Sequence, residues 1–262
     1  MKLSIRVADP AGNITIFVLN GVPPEQYASV AAKLLSLEEY RAEQVAFQVP
    51  ARMGADGRIQ MMGGEFCGNA ARSYGYLLST VLPENPDSVL VEISGAQRPL
   101  AVAVDRRGGR CETEMPLPSG TVRIPFGGRE YEAARFDGIV HTIVPGRPQS
   151  PEFVKGLLAA ARAAVPSDAY GILFLDGDRM TPVVYVRDTD SLIWESSCGS
   201  GSAAVAALLG GREGDGDHRY SLRQPGGVIE AAAVVENSRV VQCRMGGTVV
   251  LSDEITVVLP EL

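Results

Sequence analysis

Two cysteines stand out in this sequence because each is followed by glycine and a run of small residues. Cys67 precedes Gly-Asn-Ala-Ala, Cys198 precedes Gly-Ser-Gly-Ser-Ala-Ala, and a Leu-Leu pair follows each cysteine at the same distance. The two cysteines are separated by half the length of the 262-residue chain. Because these features recur together at one interval, the pattern indicates an internal duplication in which each half supplies one thiol.

The position of these cysteines suggests proton chemistry. At the first position of a helix, unpaired backbone N–H groups and the positive end of the helix dipole lower a thiol pKa from about 8.5 toward roughly 3.5–7.5. The same N–H groups bind carboxylates. One thiolate could therefore remove the Cα proton of an amino acid while a second thiol protonates the opposite face, which inverts the stereocentre. This reaction requires neither a metal nor an organic cofactor, and we expect none.

Composition argues against several other classes of function. A net charge of −7 and a pI near 5.0 argue against nucleic-acid and anionic-membrane partners. The few lysines lie in helix-like runs or at the start of the chain, so none is placed as a pyridoxal Schiff base. With His141 and His218 as the only histidines and no Cys-x-x-Cys pair, no standard zinc site can be assembled. We expect a cytoplasmic protein in which Cys111 and Cys243 are buried hydrophobic residues.

Hydrophobic periodicity predicts short strands and few helices. Strands are predicted at 3–7, 13–19, 44–49, 58–62, 88–93, 100–105 and 110–115, and again at 140–144, 172–175 and 183–186. Helices are predicted from Pro24, from Cys67 to about Thr80, from Pro151, and from Cys198 to Leu209 with a stop at Gly210-Gly211. Residues 211–218 are predicted to form a solvated loop. The order of elements is similar in the two halves, which supports the duplication.

Longer motifs around both cysteines resemble a known family. The matching segments are Pro10–Asn13, Glu43–Gln44, Glu65–Ala70, Val140–His141, Cys198–Gly201 and Gln224–Gly227. They resemble the diaminopimelate-epimerase-like racemases, a cofactor-independent family in which paired cysteines carry out the reaction. A more specific resemblance, to the histidine racemases of staphylopine-type metallophore pathways, is carried by Gly12–Ile16, Met62–Ala70 and Ile193–Gly201.

The resemblance implies an α+β fold with two pseudo-symmetric lobes, each a curved, mostly antiparallel sheet around a central helix. Residues 1–116 would form the N-terminal lobe with Cys67, and residues 117–255 the C-terminal lobe with Cys198. The final strand, near 256–262, is expected to rejoin the first lobe. The expected partner is a small-molecule amino acid, with a homodimer as a further option.

The resemblance also assigns roles residue by residue. Cys67 and Cys198 are the expected catalytic pair. The glycine after each cysteine and the residue that follows it resemble a cradle for the substrate carboxylate, and two glutamates are candidates for its ammonium group or imidazole. Structural roles stay open for these glutamates and for the histidine of the set. The expected substrate-binding residues are Asn13, Glu43, Gln44, Gly68, Asn69, His141, Glu195, Gly199 and Ser200.

One departure from the family pattern bears on the substrate. Diaminopimelate epimerases carry a Glu-Arg pair ahead of the second cysteine, whereas Thr189 and Asp190 occupy those positions here and cannot hold a distal carboxylate. We therefore predict an isomerase that interconverts L- and D-histidine, with the D-isomer supplying an opine-type metallophore. Epimerisation of diaminopimelate, or racemisation of another amino acid, is the alternative. A cysteine hydrolase with Cys198 and His141, or a non-catalytic amino-acid-binding protein, stays open as a different class.

Overall fold

The computed structural model describes residues 1–260, which belong to two compact units. Unit 1 comprises Met1–Glu114 together with the segment from Gly246 onward, and unit 2 comprises Met115–Met245. The first boundary lies close to residue 116, where the sequence placed it, whereas the return to unit 1 begins at Gly246 and not at 256. None of the helices in the described range is long and apolar enough to cross a membrane.

The first part of the chain forms strands β1 to β7 and helices α1 and α2. Short 3-10 turns at Pro24–Gln26 and Glu38–Tyr40 lie on either side of α1. In chain order the elements are β1 (Lys2–Asp9), β2 (Thr15–Val18), α1 (Tyr27–Leu35), β3 (Gln44–Val49), β4 (Gly57–Met61), α2 (Gly68–Val81), β5 (Ser88–Ile93), β6 (Leu100–Asp105) and β7 (Arg110–Met115).

The second part contains further strands that the periodicity did not predict. In chain order its elements are β8 (Gly120–Phe126), β9 (Arg129–Arg135), β10 (Ile139–Pro145), α3 (Pro151–Ala164), β11 (Ala169–Asp176), β12 (Arg179–Val186), β13 (Ser191–Trp194), α4 (Gly199–Glu213), β14 (Gly216–Gln224), β15 (Gly227–Glu236), β16 (Arg239–Thr248), β17 (Val250–Leu251) and β18 (Ile255–Val258). The last two strands return to unit 1, where they pair antiparallel with β1.

Both units repeat one topology. In unit 1, α1 connects the parallel strands β2 and β3, and α2 connects the parallel strands β4 and β5. In unit 2, α3 connects the parallel strands β10 and β11, while β13 and α4 lie between β12 and β14, which also run parallel. The strand pairs β1–β2, β3–β4 and β5–β6 are antiparallel, as are β9–β10, β11–β12 and β14–β15. The mostly antiparallel α+β class and the duplicated plan are thereby confirmed.

Alternating side chains bury the central strands between two helices. In β2, Ile16 packs in the cluster that contains α1, whereas Phe17 points the other way and packs against Tyr74 of α2. In β11, Phe174 packs in the cluster around α3, and Leu173 points toward Gly201 of α4. The cysteine helices α2 and α4 are therefore each held against one face of a sheet.

Helix α4 is longer than predicted. It continues through Gly210-Gly211 to Glu213 and stops at Gly214, whose φ of 93° ends the helical conformation. Gly210 acts as a packing position, because a Cβ there would lie 3.2 Å from His218 Cδ2 and 3.5 Å from Ala233 Cβ. The predicted loop at 211–218 is accordingly wrong, since its first part belongs to α4 and its last part to β14.

Candidate active site

Cys67 occupies the N-cap of α2 and does not lie inside the helix. Its backbone is extended, with φ −135° and ψ 112°, and its Sγ accepts a hydrogen bond from the N–H of Ala70 at 3.4 Å. Sulfur thus takes the place that a serine or aspartate oxygen takes at an ordinary N-cap. The residue as a whole is half-buried.

Three amide side chains surround this sulfur. Gln44, from the first position of β3, donates from Nε2 to Cys67 Sγ at 3.2 Å. The Oδ1 of Asn13 accepts from Gln44 Nε2 at 2.9 Å and from Asn69 Nδ2 at 3.1 Å. Thr15, which is not among the predicted site residues, also accepts from Gln44 Nε2 at 2.8 Å and is buried. This network fixes the orientation of each amide.

Glu43 is bound to Asn13 on the side away from the sulfur. Its Oε2 accepts from Asn13 Nδ2 at 2.8 Å, which completes the assignment of the Asn13 amide. The neighbours Glu43 and Gln44 therefore bind opposite ends of the same amide, because Glu43 accepts from Asn13 Nδ2 and Gln44 donates to Asn13 Oδ1.

Arg72 supports the Cys67 site through Asn69 and is not among the predicted site residues. The side chain is fully buried, and it donates to Asn69 Oδ1 at 3.2 Å and to the backbone oxygen atoms of Pro10 and Thr248 at 3.1 and 3.2 Å. A buried guanidinium is costly unless its donors are used. Its position three residues after Asn69 on α2 was the available signal, because residues at that spacing share a helix face.

Cys198 repeats the same local geometry in unit 2. Its φ and ψ are −127° and 110°, and its Sγ accepts from the N–H of Gly201 at 3.4 Å. Gln224 fixes the backbone here, because its Oε1 accepts from Cys198 N at 2.8 Å and its Nε2 donates to Ser202 Oγ at 2.8 Å. Gln224 belongs to a motif that carried the family resemblance, yet it was not selected as a site residue.

His141 lies on β10 with no solvent exposure and contacts the start of α4. Its Nε2 is 2.9 Å from Ser200 Oγ, and that Oγ is 3.6 Å from Cys198 Sγ. Gly171 on β11 makes room for the ring, since a Cβ there would fall 2.0 Å from His141 Nδ1. Burial lowers the pKa of His141 to about 3, so the imidazole is neutral at physiological pH. Ser200 mediates between this histidine and Cys198.

The predicted lowering of the two thiol pKa values is wrong. Burial raises the pKa of Cys67, and it raises the pKa of Cys198 well above the ordinary value, with the neighbouring Glu195 carboxylate as the next contribution. The N–H donors at the helix starts act in the opposite direction. The free-energy cost of removing a thiolate from water exceeds the stabilisation that these donors provide. The sequence alone does not reveal that burial.

The nine predicted substrate-binding residues divide between the two sulfurs. Asn13, Glu43, Gln44, Gly68 and Asn69 lie around Cys67 in unit 1, and His141, Glu195, Gly199 and Ser200 lie around Cys198 in unit 2. No group of three or more His, Cys, Asp or Glu side chains within residues 1–260 is arranged to hold a metal ion.

Comparison with known proteins shows the family. A family model described as the histidine racemase CntK N-terminal domain matches residues 3–257. A histidine racemase of Staphylococcus aureus is 30% identical over 235 residues, which cover 84% of this chain and 85% of the relative. A histidine racemase of Fusobacterium nucleatum is 29% identical over 241 residues, which cover 87% of each.

A solved structure shares the fold. The probable proline racemase of Agrobacterium radiobacter K84 superposes with a TM-score of 0.63 at 16% identity, covering 98% of this chain and 93% of that chain. Because the family model spans nearly the entire chain and the curated relatives cover most of it, the protein belongs to the CntK histidine racemase family and is an isomerase, an amino-acid racemase.

Proposed function

We propose that the protein interconverts L- and D-histidine by moving protons between two thiols and Cα, with Cys67 and Cys198 acting on opposite faces of the substrate. The observation that carries this proposal is the repeated geometry of the two helix starts, where each sulfur lies 3.4 Å from the N–H of the residue three positions later. Duplicated units that present one sulfur each are what a two-base reaction requires.

The proposed reaction needs one thiolate and one thiol. The thiolate takes the Cα proton, so a C–H bond breaks, an S–H bond forms, and the electron pair spreads into the carboxylate as an enediolate. The second thiol then gives its proton to the opposite face of Cα and becomes the thiolate. Protons and charge balance, and the reverse reaction exchanges the two roles. Each thiol would contribute about 10²–10⁴-fold to the rate.

The first turns of α2 and α4 would bind the substrate carboxylate. Gly68-Asn69 and Gly199-Ser200 supply backbone N–H groups at the positive helix ends, and glycine permits close approach to the backbone. These donors favour the enediolate more than the carboxylate because negative charge increases on its oxygens. One such donor is typically worth about 3 kcal/mol in the transition state.

Histidine is the substrate that we favour among amino acids. Two curated relatives are named histidine racemase, and Thr189 and Asp190 cannot hold the distal carboxylate of a diacid. Asn13, Gln44 and Glu43 line the Cys67 side with polar groups that suit an ammonium ion or an imidazole. We further propose that the D-histidine supplies an opine-type metallophore, as the motif resemblance implies.

The decisive test measures isotope exchange at Cα. With either histidine enantiomer in deuterated water and no added cofactor, we expect deuterium at Cα to appear together with the opposite enantiomer. The double variant Cys67→Ser/Cys198→Ser should do neither, whereas Cys111→Ser/Cys243→Ser serves as the matched control and should retain the activity. Racemisation by the first double variant would refute the two-thiol mechanism.

A substrate panel addresses the main alternative. If diaminopimelate or another amino acid loses optical activity faster than histidine, the scaffold and mechanism stand but the substrate assignment fails. The cysteine hydrolase is not supported, because His141 contacts Ser200 and the family is one of isomerases.

A further inference from the structure

The hydroxyl of Ser200 lies between an imidazole nitrogen and a sulfur. Its Oγ is 2.9 Å from His141 Nε2 and 3.6 Å from Cys198 Sγ. A hydroxyl has one proton to donate, so the Ser200 proton can point to the ring or to the sulfur but not to both. The position of the imidazole proton decides between these arrangements, because a neutral ring is a donor at one nitrogen and an acceptor at the other.

The other ring nitrogen of His141 is not placed to donate. Nδ1 is buried, and among residues 1–260 no group is positioned to form a hydrogen bond with it. It lies against the backbone of Gly171, where a Cβ would fall 2.0 Å from Nδ1. A buried N–H without an acceptor carries the full desolvation penalty of a donor, whereas a bare nitrogen can accept the weak Cα–H contact of a glycine. The imidazole proton is therefore on Nε2.

Packing holds the ring in this orientation and in its neutral form. The Phe136 ring packs edge-to-face on the imidazole, with centroids 6.1 Å apart and an interplanar angle of 74°. Burial lowers the pKa of His141 to about 3, so the ring carries a single proton at physiological pH. With that proton on Nε2, His141 donates to Ser200 Oγ, and the Ser200 proton is left for Cys198 Sγ.

One side-chain donor then faces each sulfur. Cys67 and Cys198 both accept one backbone N–H bond at 3.4 Å at the start of their helices. Gln44 Nε2 donates a second bond to Cys67 Sγ, and the Ser200 hydroxyl does so to Cys198 Sγ. An amide nitrogen is a donor only, whereas a hydroxyl can donate or accept. The hydroxyl therefore needs a neighbour such as His141 to fix its direction.

We propose that His141 is a positioning residue that directs the Ser200 hydroxyl onto Cys198. The inference rests on the proposed two-thiol reaction and gives His141 a role other than contact with the substrate. A hydrogen bond to a thiolate is stronger than one to a thiol, so the directed hydroxyl favours the form of Cys198 that takes the Cα proton. In that step a C–H bond breaks and an S–H bond forms, while Ser200 and His141 keep their own protons.

Nitrogen-15 NMR of the protein labelled at its histidines locates the imidazole proton directly. His141 and His218 are the only histidines, so the His218→Asn variant identifies the signals of His141. We expect the His141 proton on Nε2 and none on Nδ1, without change across the neutral pH range because the ring stays neutral. A proton on Nδ1, or on both nitrogens, would overturn the proposal.

Variants of the two residues test the effect on the sulfur. In the Cys67→Ser background, the pH midpoint of Cys198 alkylation by iodoacetamide is followed by mass spectrometry of the modified peptide. Ser200→Ala removes the donor, and His141→Asn shortens the side chain so that its amide does not reach the hydroxyl. Both should shift the midpoint upward, because the thiolate loses a directed hydrogen bond. A midpoint that neither variant raises would overturn the proposal.

The same substitution at the other histidine is the matched control. His218 lies at the far end of α4, where its Nε2 is 2.7 Å from Gly214 O, so His218→Asn should leave the Cys198 midpoint in place. In the enzyme with both cysteines, Ser200→Ala and His141→Asn should each lower kcat/KM for histidine by at least about tenfold, the typical cost of one lost hydrogen bond to a charged group. An unchanged kcat/KM would refute the positioning role.

The outcome is distinguishable from that of the proposed function. A His141 proton on Nε2 and the expected midpoint shifts, in an enzyme that does not racemise histidine, would support the directed hydroxyl and refute the substrate. Racemisation of histidine by an enzyme whose His141 proton lies on Nδ1 would leave the proposed function intact and refute the role of His141.

Discussion

The starts of α2 and α4 have the same backbone and different chemistry. Cys67 and Cys198 share extended N-cap conformations that agree within about ten degrees, and each sulfur accepts one N–H bond at 3.4 Å. Around Cys67 the side chains are amides, whereas around Cys198 they are a hydroxyl, a neutral imidazole and a carboxylate. The repeated backbone determines the position of each sulfur, and the side chains that differ between the two sites determine the pH at which it ionises.

Removing either sulfur should have the largest effect. Cys67→Ser and Cys198→Ser should each reduce racemisation of histidine by about 10²–10⁴-fold, because a serine hydroxyl is a far weaker acid than a thiol and does not ionise near neutral pH. The comparison predicts that Cys198→Ser still exchanges the Cα proton of one enantiomer, since Cys67 remains as a base. Deuterium uptake followed by NMR checks this, and exchange of both enantiomers by one single variant would contradict it.

Filling the space beside His141 should destabilise only the Cys198 side. Gly171→Ala places a Cβ 2.0 Å from His141 Nδ1, and overpacking of this kind typically costs about 1–3 kcal/mol of unfolding free energy. Gly211→Ala on α4 is the control, because no atom lies within 4 Å of its Cβ position and alanine favours a helix. Urea unfolding measures both, and equal stability of the two variants would count against the packing.

The buried imidazole should make stability depend on mild acid. The pKa of His141 falls to about 3 on folding, so burying the neutral ring carries no free-energy penalty from protonation above pH 6.5. Below that value the unfolded chain binds a proton that the folded protein does not bind, so stability is lost as pH falls. From pH 7.5 to 5.5 this group should remove about 1.4 kcal/mol. His141→Gln should abolish that part of the pH dependence, whereas Ser200→Ala, which retains the ring, should preserve it. An unchanged dependence in His141→Gln would disprove the burial effect.

Converting one amide into a carboxylate should make the two sulfurs alike. Gln44→Glu replaces the donor 3.2 Å from Cys67 Sγ by an acceptor with negative charge, so the pKa of Cys67 should rise further. Gln48→Glu adds the same charge at an exposed position of β3 and should leave the midpoint in place. The pH midpoint of Cys67 alkylation by iodoacetamide, measured for both variants in the Cys198→Ser background, tests this prediction. A midpoint that Gln44→Glu does not raise would contradict it.

The local features of the site were predictable from sequence. Each cysteine helix start could be identified because glycine after an N-cap and small residues on the following turns are adjacent in the chain. The duplication followed from the spacing of these two segments, and the repeated order of strands and helices confirms it.

Features that depend on distant residues were not predictable in this way. Gly171 and Gln224 act on residues far away in sequence, so neither shows its partner by spacing. The predicted direction of the thiol pKa shift was wrong because the shift depends on how many atoms exclude water from the sulfur. Gly210 resembled a helix stop, yet its lack of a side chain serves the packing of His218 against α4.

The pairing of β1 with β17 and β18 has a consequence for how the chain folds as it is synthesised. Lys2 lies opposite Val258 and Ala8 opposite Leu251, so an early strand has partners that are made only after all of unit 2. Unit 2 is continuous in sequence and can fold while translation proceeds, because domains generally fold as units as they emerge. Unit 1 must keep one edge open until the segment from Gly246 arrives, and the half that starts first is therefore the half that is completed last.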